Sequence, residues 1–283
     1  MMKKIIYVLL TLLLFFNFVS ETKGSFDFMF VLCYQNVDVA DPTNYELALG
    51  AWSGAPVSQY VFLDQKEIRG TPRQSSARMW HNPDTGDLEF CTASYETDPN
   101  RLWITRWKIV PDADPNNTTM AKISEVALTD PCLAPLYFYT SGILMGAANS
   151  AFPYNDFDPG VAGPEVWLTG GSGELGHVAI YNAVTGEKSA GISLGGYVVS
   201  QTDAWPTSGN TWDCLFATNF INAVRYDSSS KTMIRINSGH PGEPNPGYPD
   251  YLTFGFNAMA SADFDSDGQV DYVTGSAHGS TYG

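Results

Sequence analysis

The feature that most limits the fold is the rhythm of the chain after residue 24. Short β-branched or aromatic runs, among them QYVFLD, RLWITRWKIV, EVWLTG, HVAIYN, CLFATNF and TMIRI, each close on turn residues. Several alternate in polarity, and no long stretch repeats with helical period. Strands of this length separated by Gly, Pro, Asn, Asp and Ser clusters predict an all-β fold.

A repeated unit underlies the rhythm. The stretch ADFDSDGQVDYVTGSAHG (262–279) aligns without gaps on VDVADPTNYELALGAWSG (37–54), setting Asp263 on Asp38, Asp271 on Glu46, Gly275 on Gly50 and Gly279 on Gly54. A third copy, NDFDPGVAGPEVWLTGGSG (155–173), is one residue longer and sets Asp156-Phe157-Asp158 on Asp263-Phe264-Asp265. Weaker copies lie at HNPDTGDLEFCTAS (81–94) and TDAWPTSGNTWDCLFATN (202–219). Each is an acidic or Gly-rich loop, a strand, then small residues. Neighbouring copies stand roughly 40 to 75 residues apart, overlapping the range of propeller blades. A repeated sheet cannot bury its faces alone, so like units pack together. The expectation is a β-propeller of roughly five recognisable blades over residues 25–283, the last incomplete. A non-repetitive β-sandwich is the alternative.

The clearest copy, 252–283, carries the spacing DxDxDGxxxD. Carboxylates at alternating positions of a curling loop face one concavity, and Ca²⁺ takes six to eight oxygens in irregular geometry. The expected ligands are Asp263, Asp265, Asp267, the carbonyl of Gln269, and Asp271, with Gly268 allowing the bend. The loop is not an EF-hand, because Thr274 stands where that motif needs glutamate and DYVTG reads as strand. Mg²⁺ suits it less, preferring strict octahedral geometry. The other copies have lost ligands: Ala40 and Pro42 occupy middle positions of the first, and Gly160 follows Asp158 in the third.

Phe254-Gly255, the strand FNAMASA, the loop from Asp263 to Asp271 and the ending YVTGSAHG together resemble the FG-GAP repeats, of VCBS type, of integrin α-subunit propellers and their bacterial relatives. The resemblance implies a calcium-stabilised β-propeller, often seven-bladed, whose top face meets a protein or glycan. Over the other copies it is weak, since the Phe-Gly pair is missing there. The family pattern also implies another strand after GSAHGSTYG. Either the chain is a fragment of a longer propeller, the reading adopted, or the N-terminal FDFMFVLC strand completes the last blade.

The N-terminus sets the compartment. Lys3 and Lys4 precede an apolar run from Ile5 to Phe16, too short for a membrane span of roughly 20 residues. Small residues follow at Ser20 and Gly24. This is the pattern of a secretory signal peptide over 1–24, a retained signal anchor being the alternative. The expected mature protein is secreted, with no membrane span. A net charge of −15 argues against nucleic-acid binding. In an exported chain Cys33, Cys91, Cys132 and Cys214 could pair in three ways, and none stands in a CxxC zinc spacing. NNTT at 116–119 holds two overlapping N-glycosylation acceptors.

Other signals count for less. GSGELG (171–176) fits a dinucleotide fingerprint, but β-rich sequence follows where a helix is needed, so a hairpin is expected. The four histidines lack metal spacing, and no nucleophile elbow occurs. Seven tryptophans raise sugar stacking, though packing between sheets is their commoner use. HVAIYNAVTGE resembles a quinoprotein blade strand and turn, without that family's tryptophan-docking motifs. Two functions follow: a non-enzymatic extracellular binding or adhesion module for protein or glycan, or a propeller enzyme such as a polysaccharide lyase or glycosidase.

Overall fold

The computed structural model describes residues 28–35, 45–53, 59–76, 78–97, 100–128, 152–172, 175–194, 200–217, 221–236, 256–266 and 271–276. The leader, Asp267 and Gln269 lie outside the described residues. The chain divides into two compact units, Met1–Val126 and Ala127–Gly283.

Among the described residues five sheets follow one another along the sequence, and every strand pair with a defined register runs antiparallel. In the first unit, β1 (Phe28–Gln35), β2 (Tyr45–Ser53) and β3 (Gln59–Ile68) pair in that order. The second sheet holds β4 (Thr71–Ser75), β5 (Trp80–His81), β6 (Leu88–Thr97), β7 (Asn100–Val110) and β8 (Thr119–Ala127). Its path runs β4-β6-β7-β8, with β5 also on β6. In the second unit the third sheet comprises β9 (Tyr154–Asn155), β10 (Glu165–Ser172), β11 (Leu175–Asn182) and β12 (Lys188–Ser193). The fourth holds β13 (Ser200–Gln201), β14 (Trp205–Pro206), β15 (Thr211–Ala217), β16 (Ile221–Asp227) and β17 (Thr232–Arg235). The fifth pairs β18 (Phe256–Ala262) with β19 (Asp271–Ser276). Among the described residues no strand leaves its neighbours to join a distant sheet, and the only helical element is a 3₁₀ turn at Pro115–Asn117.

The five sequence copies fall one per sheet. In each, the acidic or Gly-rich segment joins an opening strand to the long strand that pairs back on it: β1 to β2, β5 to β6, β9 to β10, β13 and β14 to β15, β18 to β19. The N-terminal strand pairs with β2, from Phe28 against Trp52 to Gln35 against Tyr45. It therefore belongs to the first sheet.

Each unit packs two of its sheets on a shared core. In the first, Phe30, Val31, Leu47, Leu49 and Ile68 meet Phe90, Trp107, Ile109 and Met120. In the second, Phe157, Trp167, Val178 and Ile180 of the third meander meet Cys214, Phe216, Val224 and Tyr226 of the fourth. Tryptophan does the work here that its size favours. Trp167 is fully buried, stacked on Phe216 at 6.1 Å and edge-on to Phe157 and Tyr226, and Trp212 packs edge-on against Phe157 at 5.0 Å. Trp107 stacks on Phe90 and hands its Nε1–H to Thr92 Oγ1 at 3.0 Å. These rings serve packing between sheets.

Local chemistry explains the turns. NPDTGD (82–87) and NAVTGE (182–187) fold alike. The Asn side chain accepts backbone N–H groups two and three residues on, and the glycine N–H returns to the Asn carbonyl, at 2.8 Å for Gly86 and 2.9 Å for Gly186. Gly86 and Gly186 take φ of 75° and 73°, where a Cβ is costly. The turn in HVAIYNAVTGE is thus a hairpin device that recurs at 82–87 among the described residues. GSGELG behaves as expected of a hairpin: Gly171 pairs with Gly176 and Ser172 with Leu175.

Cys91 and Cys214 are free and fully buried, so neither forms a disulfide. Every connectivity that would use all four cysteines is thereby overturned. Asn116 and Asn117 are exposed on the 3₁₀ turn, whose start is capped by Asp114 accepting from Asn116 N at 3.0 Å.

Candidate metal centre

The acidic loop of the fifth meander leaves β18 at Ala262 and re-enters the sheet at Asp271, which opens β19. Ala262 and Asp271 face each other across the ladder, so the loop closes on itself. Asp263 and Asp265 are exposed and Asp271 is half-buried. One oxygen from each of the three lies within 4.8 Å of the others, and among the described residues this is the acidic, thiol or imidazole group that converges so. Phe264 N–H donates to Asp271 Oδ2 at 3.1 Å, tying the middle of the loop to its end. Ser266 takes φ 63°, the left-handed bend that brings the chain round.

The donor set fits a hard cation. It consists of carboxylate oxygens alone, with neither sulfur nor imidazole, the set Ca²⁺ favours. Like charges at this spacing repel by roughly 1 kcal/mol per pair even at the dielectric of water. Of the predicted ligands, the structure brings together Asp263, Asp265 and Asp271.

A second pattern was not anticipated as such. Each of the described sheets carries a carboxylate near the head of one strand: Glu46 on β2, Glu89 on β6, Glu165 on β10, Asp213 on β15 and Asp271 on β19. The first four are buried, and their partners differ. Glu46 accepts from Gln65 Nε2 on β3. Glu89 accepts from Arg106 Nη2 and Asn82 Nδ2, both at 2.7 Å. Asp213 takes a bidentate guanidinium from Arg225, with both bonds at 2.7 Å. A buried carboxylate is tolerated when donors of this kind satisfy it. In the sequence the position is visible where Asp271 aligns on Glu46, an acidic residue the first copy keeps.

Among the described residues no arginine or lysine pairs with Glu165. Its Oε2 accepts Phe157 N–H at 2.8 Å, the same bond that Phe264 makes to Asp271. Its Oε1 has no hydrogen-bond partner among the described residues. Burial pushes its carboxyl up to about 8, with Asp156 adding to the rise and the Phe157 N–H and the Asn182 side chain opposing it. In the same loop Asp158, nearly buried, accepts from Gly160 N at 3.2 Å and forms an ion pair with Lys231.

No family model matches the chain, and no curated protein does. Fourteen chains of solved structures match. One is fructan 1-exohydrolase IIa from Cichorium intybus, 12% identical with a TM-score of 0.42, the match covering 86% of this chain and 47% of that one. The chain thus spans about half the length of that neighbour.

Proposed function

We propose that this protein is a secreted, calcium-stabilised β-propeller of FG-GAP/VCBS type that serves as an extracellular binding or adhesion module for a protein or a glycan. The observation that carries the reading is the convergence of Asp263, Asp265 and Asp271 within 4.8 Å, at the loop of the last of five like meanders. Calcium relieves their repulsion and fixes the loop. Asp267 and the carbonyl of Gln269 complete the ligand set by their spacing. Successive antiparallel meanders that pack face to face are the units from which a propeller is assembled. The sequence-local order of all five sheets supports that architecture.

A module of this kind binds through the loops and turns that its rigid sheets position, and the ion stiffens one of them. Calorimetric titration of the purified secreted chain is expected to give calcium binding that Asp263→Asn and Asp271→Asn abolish. At calcium one hundredfold above Kd, stabilisation amounts to about 2.7 kcal/mol. For a domain of this size that raises Tm by roughly 5–10 °C over chelated protein. An identical melting curve in EDTA and in calcium would sink the reading. A glycan and protein array then identifies the partner, and sustained cleavage of a polysaccharide in the same preparation would replace the adhesion reading with an enzymatic one.

A further inference from the structure

The third meander repeats the fifth in its loop chemistry, with one exchange. Asp156, Asp158 and Glu165 stand where Asp263, Asp265 and Asp271 stand, and the Phe157–Glu165 hydrogen bond reproduces the Phe264–Asp271 bond. The surroundings differ. The fifth loop is exposed at Asp263 and Asp265, whereas Asp158 is 4% exposed and Glu165 is 0%. Buried carboxylates need a compensating charge more than exposed ones do. That charge is present: Lys231, on the turn between β16 and β17, reaches across to the third loop and pairs with Asp158. Its backbone adopts φ 54°, the left-handed bend that glycine fills in the turns at 86 and 186. The turn thus carries a strained non-glycine residue whose side chain ends on a carboxylate of the neighbouring meander.

We infer that Lys231 is the resident cation of the third loop. Its ammonium does there what a hard divalent ion does in an acidic loop of this spacing, and it makes that loop independent of metal. The loop requires a positive charge at Asp158, and an ammonium or a divalent cation meets the requirement. The inference rests on the equivalence of the two loops and not on calcium at Asp263.

Hydrogen exchange read at the amides of Phe157, Gly160 and Val161 tests it, because all three donate to partners within the loop. In the unaltered chain, EDTA is expected to leave these amides protected. Lys231→Met, which retains an L-residue at the strained position, is expected to raise their exchange roughly tenfold or more. Lys231→Arg keeps protection, and millimolar calcium restores it in Lys231→Met. The double variant Asp158→Asn, Lys231→Met removes both charges and is expected to fold with protection even if Lys231→Met alone does not. Loss of protection on chelation in the unaltered chain, unchanged exchange in Lys231→Met, failure of calcium to restore it, or collapse of the double variant would each overturn the inference. The response of segment 263–271 to EDTA in the same experiment reports separately on the calcium reading.

Discussion

Replacing Glu165 by glutamine removes an ionisable group from a site where ionisation is penalised, and the effect can be worked through pH. The glutamate is fully buried, takes one backbone N–H at Oε2, and has no partner for Oε1 among the described residues. Its carboxyl is pushed from the ordinary 4.5 up to about 8. Above 4.5 the unfolded chain releases this proton while the folded chain holds it, so the folded state loses stability as pH rises. The loss accumulates until pH passes the folded value near 8 and is constant beyond it. Integrated between pH 5 and pH 9, the carboxyl costs the fold about 4 kcal/mol, of which most is already felt at pH 7. Glutamine preserves the shape and the acceptor for Phe157 N–H but cannot ionise. Urea unfolding of both chains at pH 5, 7 and 9, in constant excess calcium, is the assay. The glutamine chain is expected to gain stability relative to the parent as pH rises, by about 4 kcal/mol across the range. Parallel pH profiles for the two chains would refute the reasoning, since they would mean that Glu165 titrates no differently folded than unfolded.

Three further outcomes follow from the same physics. Arg225→Met strips the bidentate partner from Asp213, which is 4% exposed, and is expected to cost about 2–4 kcal/mol by denaturant unfolding; Asp213→Asn in that background recovers much of it. Gly186→Ala forces a Cβ onto φ 73° and is expected to lower stability by about 1–2 kcal/mol, whereas a neighbouring exposed change such as Val184→Thr leaves it nearly unaltered. Cys91 and Cys214 are buried, and burial raises both thiols. Peptide mapping after alkylation of the native chain is expected to find both unmodified, with labelling in denaturant.

The strand-and-turn alternation predicted all-β structure because period-2 patterning and turn chemistry are properties of a few adjacent residues, and the five meanders follow it. The Asp-Phe-Asp copies at 156–158 and 263–265 predicted equivalent loops, and both close with the same Phe N–H to carboxylate bond, formed over seven or eight residues. The fate of the aligned carboxylates was not legible. In sequence, Glu89 and Asp213 are only acidic residues within the weaker copies at 81–94 and 202–219. Their guanidinium partners, Arg106 and Arg225, lie 17 and 12 residues away on the next strand and reach them only once the ladder sets the register.

What the amino-acid order determined alone was therefore the set of local units: strands, Asn-Gly turns, and a loop whose carboxylates must crowd wherever the chain curls. Tertiary structure alone decided which carboxylates are buried, which meet an arginine and which meets Lys231. The physical reason is range. Turn geometry and side-chain alternation act between neighbours, whereas burial and charge pairing depend on surfaces that come together only when one meander packs on the next.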